Sequence, residues 1–181
     1  CVIIKELWER KFPMLIATRG GSKSFSLAVY SMLRALLLPG RKIVVAGASF
    51  RQSKLIYEYC TQIWNNAPLL RDAISSYSGH QGPKGGNDSV YMYLGDSKIT
   101  FIPIGLGETI RGLRANDVVC DEFKSLNQEI FENVIAGFAS VESSPQEKVA
   151  SRLDADFNKI LGIEDQTRKD DLSISNQIVI S

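Results

Sequence analysis

Near the start of the chain, two glycines, a lysine and two serines stand together as Gly20-Gly21-Ser22-Lys23-Ser24. Adjacent glycines permit a tight turn whose successive backbone N–H groups face one concavity. The lysine adds positive charge, and the hydroxyl of Ser24 can contact a magnesium ion. This order is typical of residues that hold a nucleoside triphosphate at the N-terminus of a helix, so we interpret the stretch as a phosphate-binding loop.

The loop departs at two positions from the general pattern GxxxxGK followed by Ser or Thr. Ala17 stands in place of the first glycine and Ser22 in place of the last. Ser22 is tolerated only if its backbone angle suits a residue with a Cβ atom. An alternative stays open at this point, namely a basic surface turn in which Arg19 and Lys23 are solvated.

A second chemical signal is the acidic pair Asp121-Glu122, which directly follows the apolar residues 118–120. Magnesium keeps most of its waters and takes one or two protein carboxylates, so Asp121 together with Ser24 would suffice to hold it. Glu122 would polarise the attacking water. The pair follows the loop with a strand and a helix between them, and this order predicts that both motifs serve one ATP and magnesium site.

Two arginines, Arg111 and Arg114, precede the strand that ends in the acidic pair. Positive charge on the transferring group accelerates phosphoryl transfer by about 10³-fold or more. Arg111 is therefore a candidate arginine finger, with Arg114 as the second choice, and Arg19 could act on the phosphate from within the loop. The alternative for Arg111 is a solvated turn or an ion pair with Glu108.

Composition places the chain among ordinary globular domains. It has 181 residues, 44% of them hydrophobic and 23% charged, which is enough for one well-buried domain over residues 1–181. The net charge of +1 indicates no global field for nucleic acid, so a DNA contact would need a local patch, for which Lys84 is a candidate. The three cysteines have no CxxC spacing, which favours neither a disulfide framework nor a zinc site. We expect a fragment of a longer protein, without a membrane span.

Alternating strand and helix patterns predict an α/β fold that positions these residues. The only histidine, His80, falls in a stretch with four glycines and is interpreted as a solvated residue of a mobile loop. The predicted elements are a helix at 2–10, strands at 13–17 and 42–46, a helix at 24–38, a helix opened by the capping pair Ser49 and Gln52 and ended by Pro68, a loop at 78–89, a hairpin at 90–94 and 98–104, a strand at 118–120, a helix at 125–138 and a strand at 177–180.

The order of the loop RGGSKS, the segment IRGLRAND and the segment VVCDEF resembles the ATPase domain of the large terminase subunit, the motor that packages DNA into tailed phages and herpesviruses. The resemblance runs from about Leu7 to the final strand. It implies that Lys23 and Ser24 bind phosphate and magnesium and that Asp121 is the second magnesium ligand. It also implies that Glu122 is the catalytic base.

The same resemblance implies roles for two arginines. Arg111 would be the finger offered in trans to the ATP of a neighbouring subunit, and Arg19 would sense the γ-phosphate. An adenine-reading glutamine upstream of the loop, frequent in that family, has no counterpart, because the first glutamine is Gln52. Trp8 or Phe12 could contact adenine, with core packing as the alternative.

At the level of fold and assembly, the resemblance implies a P-loop NTPase of the ASCE or RecA-like type. Its sheet would be mostly parallel, with helices on both faces and an extra strand between the two motif strands. The implied partners are double-stranded DNA, the portal protein, the small terminase subunit and further copies in a ring, in the host cytoplasm and transiently on the procapsid. The full-length protein would also carry a nuclease domain.

Two other functions compete with a DNA-packaging ATPase. A helicase-like translocase shares both motifs, but would normally bring a second RecA-like domain and strand-separating motifs. A nucleotide-binding scaffold that does not hydrolyse ATP is suggested by Ala17 and Ser22, the two departures in the loop.

Overall fold

A six-stranded sheet forms the centre of the chain, seen here in a computed structural model that describes residues 2–10, 12–18, 20–47, 49–86, 89–103, 115–122 and 177–180. The helices are α1 (Val2–Glu9), α2 (Lys23–Leu37), α3 (Phe50–Asn66) and α4 (Pro68–Ala73). The strands are β1 (Lys42–Gly47), β2 (Gly82–Lys84), β3 (Val90–Leu94), β4 (Ser97–Pro103), β5 (Asp117–Asp121) and β6 (Gln177–Ile180).

The strand order is β2-β3-β4-β1-β5-β6. β4, β1, β5 and β6 are parallel to one another, and β2 and β3 complete the sheet by antiparallel pairing. The central strands are short runs of apolar and β-branched residues, the composition expected for parallel strands with both faces buried. The predicted α/β fold with a mostly parallel sheet is confirmed.

The strands β3 and β4 form the hairpin that the sequence predicts. Val90, Met92 and Leu94 are buried while the intervening tyrosines are half-buried, as alternation along a strand with one core face requires. The turn contains Gly95 at φ +59°, a left-handed angle that glycine adopts without cost.

Within the predicted loop 78–89, residues 82–84 instead form the edge strand β2, which pairs with β3. Gly82 is one of the four glycines that favour a loop in this stretch, but a Cβ atom there would lie 2.6 Å from the ring of Trp64. The glycine allows close packing against that ring. Pro83 is tolerated because β2 is an edge strand.

One layer of helices covers one face of the sheet. α2 and α3 pack against each other, and both contact β1 and β4. The start of α3 at the capping pair Ser49 and Gln52 is as predicted, since the Ser49 N–H donates to Gln52 Oε1 at 3.1 Å. Residues on the opposite face are buried too: Val44, Ala46, Ile102, Val118 and Cys120. The predicted helix 125–138 lies outside the described residues.

The predicted strand 13–17 is only partly correct, because its ladder is limited to a bridge between Met14 and Ile180. The Leu15 N–H donates to the Ile180 carbonyl at 2.9 Å, and the Ile180 N–H donates to the Pro13 carbonyl at 3.1 Å. Pro13 has no N–H to extend the ladder. The segment runs parallel to β6, which pairs with β5 on its other side. β6 is therefore the extra strand that the resemblance implies between the strand before the loop and the strand that ends in the acidic pair.

No helix in the described ranges has the length and apolar character to cross a bilayer.

Candidate nucleotide-binding site

The loop and the acidic pair, 97 residues apart in sequence, meet in space. The Ser24 hydroxyl, in the first turn of α2, donates a hydrogen bond to Asp121 Oδ2 at 3.2 Å. Asp121 is the last residue of β5. The contact lies at the carboxyl end of the parallel strands, the edge where ligands bind in open α/β sheets.

The register of β5 explains why Asp121 faces the loop. Side chains alternate across a strand, so Asp117, Val119 and Asp121 share the face that α2 covers. Asp121 lies opposite Gly47, the last residue of β1. A Cβ atom at Gly47 would lie 2.7 Å from the Ser53 N atom, so glycine is required where β1 meets the start of α3.

Two residues beside this contact have left-handed backbone angles. Ser22 has φ 56° and Glu122 has φ 55°, and they are the only non-glycine residues with positive φ in the described part of the chain. Such a conformation costs an L-residue about 1–2 kcal/mol and is found preferentially at functional sites. Ser22 therefore has the conformation that suits glycine, the residue it replaces in the general pattern.

The loop backbone turns tightly before α2. Gly20 has φ +83°, and the Gly21 N–H donates to the Thr18 carbonyl at 3.0 Å. A Cβ atom on Gly21 would lie 3.0 Å from the Ala17 Cβ, so the turn leaves little room there. Lys23 is half-buried as the first residue of α2. The loop thus leads into a helix N-terminus, whose backbone N–H groups and dipole favour an anion.

The two acids differ in their surroundings. The Asp121 carboxylate is 5% exposed, and besides Ser24 it accepts the Glu122 N–H on Oδ1 at 3.0 Å, which fixes its orientation. Glu122 is exposed. Burial raises the pKa of the neighbouring Cys120 thiol to about 12, so this thiol is neutral and adds no charge beside Asp121.

Hydroxyl and carboxylate oxygens within hydrogen-bonding distance are a donor set that suits magnesium. Ser24 and Asp121 provide this pair. Among the described residues there is no cluster of three or more His, Cys, Asp or Glu side chains. Magnesium does not need such a cluster, because it retains waters and shares the phosphate oxygens of its nucleotide.

Several predicted residues are not placed at this site. Arg19, Arg111 and Arg114 lie outside the described residues. His80 is exposed, with Nε2 3.1 Å from the Pro83 carbonyl and its ring edge-on to that of Tyr93. It precedes the edge strand β2, which carries the exposed Lys84, and three strands separate β2 from β5.

The two aromatic candidates for adenine contact have different environments. Trp8 packs edge-on to Tyr30, with ring centroids 6.4 Å apart, and its ring lies 5.0 Å from the Arg34 guanidinium carbon. It therefore has the packing role that was the alternative. Phe12 is 60% exposed and precedes the loop by several residues.

Sequence reasoning missed a buried charge cluster formed by Arg34, Arg41 and Asp117. Arg34 Nη2 donates to Asp117 Oδ1 at 2.8 Å, and Arg41 Nη1 lies 3.5 Å from the same oxygen. A signal was present in the sequence, because Arg34 interrupts a helix that is apolar nearly all round and Asp117 begins a buried strand. Charges at such positions are seldom buried unless they are paired.

Comparison with known proteins gives matches among solved structures. The ATPase domain of the large terminase from Thermus phage P74-26 matches with TM-score 0.50 and 11% identity, over 94% of this chain and 57% of that one. The large terminase of bacteriophage HK97 matches with TM-score 0.53 and 16% identity, over 94% of this chain and 29% of that one. No protein-family model matches the sequence, and the comparison with curated proteins gives no match either.

This chain therefore spans little more than half of the first of these structures and under a third of the second. At these identities the likeness concerns the fold. The chain has the fold of phage large terminase ATPase domains, which is the fold that the resemblance in sequence implies.

Proposed function

We propose that this chain is the ATP-hydrolysing motor domain of a viral large terminase, which uses magnesium and ATP to drive double-stranded DNA into a procapsid. The contact between Ser24 and Asp121 carries this proposal. It joins the hydroxyl that follows the loop lysine to the carboxylate at the end of a parallel strand, which is the arrangement that a magnesium-bound triphosphate requires. The fold shared with terminase ATPase domains supports it.

In this proposal each residue of the site has a separate task. Lys23 and the loop Gly20-Gly21-Ser22 bind the phosphates, through the backbone N–H groups of Gly20 and Ser22, while the Gly21 N–H holds the turn by donating to the Thr18 carbonyl. Ser24 and Asp121 hold magnesium, which when bound neutralises charge on the phosphate oxygens. Glu122 is exposed one residue beyond Asp121, where it can accept a proton from the attacking water.

The arginines extend the proposal to an assembly. Arg19 contacts the γ-phosphate within the subunit, and Arg111 reaches the ATP of a neighbouring copy in a ring. The ring, with the portal protein and the small terminase subunit, works on the procapsid in the host cytoplasm, and the full-length protein also has nuclease activity. Each of these is a proposal that follows from the resemblance described above.

Replacing Glu122 by Gln tests the hydrolysis. This change keeps the side-chain shape and removes the base, so we expect ATP turnover to fall by about 10²- to 10⁴-fold with little change in nucleotide affinity. Glu58→Gln, an exposed acid on α3, is the matched control and should leave turnover unchanged. Turnover by Glu122→Gln equal to that of the original chain would exclude Glu122 as the base.

Mixing subunits tests the role of Arg111. If Arg111 acts in trans, Arg111→Ala subunits added in less than stoichiometric amounts should reduce the turnover of an assembled ring more than their share. A loss in strict proportion to the added variant would argue against a finger offered to a neighbour.

A scaffold that binds nucleotide without hydrolysis is the second candidate, and the left-handed Ser22 is the observation that favours it. Its strained backbone could leave the phosphate cradle imperfect. The same assay separates the two functions, because a scaffold would bind ATP in the presence of magnesium and show no turnover that Glu122→Gln could abolish.

A further inference from the structure

The buried charge cluster lies at the end of β5 opposite to Asp121. Asp117, the first residue of β5, is 0% exposed, and Arg34 of α2 is 3% exposed. Arg34 donates from Nη2 to Asp117 Oδ1 at 2.8 Å and from Nε to Oδ2 at 3.4 Å. The guanidinium carbon of Arg34 also lies over the Trp8 ring, 5.0 Å from its centre. The guanidinium group is therefore held in one orientation.

α2 and β5 are consequently joined at both ends. At one end Ser24 donates to Asp121, and at the other Arg34 donates to Asp117. Ten helical steps separate Ser24 from Arg34, a rise of about 15 Å. Four strand steps separate Asp117 from Asp121, a length of about 13 Å. The near equality of these two lengths allows both contacts to form at once between one helix and one strand.

This double attachment restricts how α2 can move along β5. A screw displacement of the helix by one residue would shift Ser24 by about 1.5 Å and rotate it by about 100°. Either change would carry the hydroxyl out of reach of the Asp121 carboxylate. The Arg34–Asp117 contact opposes such a shift, because a two-point contact between a planar guanidinium group and a carboxylate fixes direction as well as distance.

We propose that Arg34 and Asp117 are positioning residues for the magnesium site, because their buried ion pair sets the position of α2 along β5 and thereby keeps the Ser24 hydroxyl at the Asp121 carboxylate. This inference rests on the proposed function. It assigns to the two residues a control over magnesium affinity that acts through Ser24 and Asp121. In the proposed site neither residue is a ligand of the metal or of the nucleotide.

Arg41 makes this proposal testable without leaving Asp117 unpaired. Its Nη1 lies 3.5 Å from Asp117 Oδ1, and its backbone is fixed to β4, since the Lys98 N–H donates to the Arg41 carbonyl at 2.8 Å. When Arg34 is replaced by Met, a side chain of similar length, Asp117 keeps Arg41 as an ion-pair partner. The change therefore removes the link to α2 while leaving the carboxylate paired.

The experiment measures the affinity of a fluorescent ATP analogue as magnesium is titrated, for the original chain and for Arg34→Met, with circular dichroism to confirm that both are folded. We expect the half-saturating magnesium concentration to rise by about 10-fold or more in Arg34→Met, the usual effect of losing a residue that orients a metal ligand. Metal-free affinity should change less than twofold. Arg34→Lys, which restores charge but only one donor group, should recover part of the loss.

Met92→Ala is the matched control, since Met92 is fully buried on β3 and distant in sequence from both contacts. It should destabilise the fold and leave the magnesium titration unchanged. A titration curve for Arg34→Met that coincides with that of Met92→Ala would overturn the proposal and give Arg34 a structural role alone. Absence of any magnesium effect in the original chain would instead overturn the proposed function.

A double-mutant cycle supplies a second test. If Arg34 acts through Ser24, then in a chain that already carries Ser24→Ala the change Arg34→Met should have little further effect on the magnesium titration. Additive effects of the two substitutions would show that Arg34 does not act through Ser24, and would contradict the proposal.

Discussion

The two places where α2 meets β5 are built in opposite ways. At the candidate site, a 3.2 Å hydrogen bond joins the half-buried Ser24 to Asp121, and the backbone is left-handed at Ser22 and Glu122. At the other end, a 2.8 Å bond joins two buried charges, Arg34 and Asp117.

This difference separates two requirements of a nucleotide site. Backbone that is strained and partly exposed can contact a ligand, but its strain lowers the stability of the fold. Buried charges that are paired and hydrogen-bonded hold elements in one arrangement, and removing one partner is strongly destabilising. The Arg34–Asp117 end therefore supplies the fixed geometry on which the strained Ser24–Asp121 end depends.

The largest expected effect is that of Asp117→Ala. Removing this carboxylate leaves two buried guanidinium groups without the acid between them, so the free energy of unfolding should fall by about 3–5 kcal/mol. Urea denaturation measures the change. Asp96→Ala, in the exposed hairpin turn, is the control and should change stability by less than about 0.5 kcal/mol. A loss of less than about 1 kcal/mol in Asp117→Ala would contradict the assigned importance of the cluster.

The second prediction concerns Cys120, the buried residue just before Asp121. Burial raises the pKa of its thiol from 9.0 to about 12, so the native state keeps the proton while the unfolded chain loses it. Stability is therefore unaffected by this thiol below pH 9 and falls as pH rises from 9 to 12, with a slope of up to about 1.4 kcal/mol per pH unit.

Denaturation of the original chain and of Cys120→Ala across this pH range isolates the contribution of that thiol. The variant should lose less stability per pH unit, because one buried thiol no longer titrates on unfolding. Cys60, whose pKa burial also raises to about 12, should give the same result in Cys60→Ala. Parallel pH curves for all three proteins would show that these thiols are not buried as described.

The smallest expected effect is that of Ser22→Gly. Glycine adopts the left-handed angle without steric cost, so this change should raise the free energy of unfolding by about 1 kcal/mol. Lys54→Gly, at an exposed position inside α3, should lower it by about 1 kcal/mol, because there glycine only adds freedom to the unfolded chain. Equal destabilisation in both variants would show that Ser22 is not strained.

The sequence was sufficient to predict the elements whose pattern is local. The hairpin β3–β4, the start of α3 at Ser49 and the short buried strand β1 each follow from side-chain alternation, a capping pair or a β-branched run. The meeting of Ser24 with Asp121 was also predictable, because both motifs lie at the carboxyl ends of parallel strands.

Interactions between distant residues were not predictable in the same way. The Arg34–Asp117 pair joins residues 83 positions apart, and neither side chain identifies its partner by spacing. The edge strand β2 was missed because Gly82 and Pro83 are typical turn residues, whereas here the glycine accommodates the ring of Trp64. The roles of Arg19, Arg111 and Arg114 stay predictions, since these residues lie outside the described ranges.

The most direct test of the account is the affinity of an ATP analogue for the original chain and for Asp121→Asn, measured with magnesium and with a chelator, and with Asp96→Asn as the surface control. If Ser24 and Asp121 share one metal-bound nucleotide, magnesium should tighten binding by about 10-fold or more in the original chain and the control. It should have almost no effect in Asp121→Asn. An equal magnesium effect in all three proteins would contradict the account.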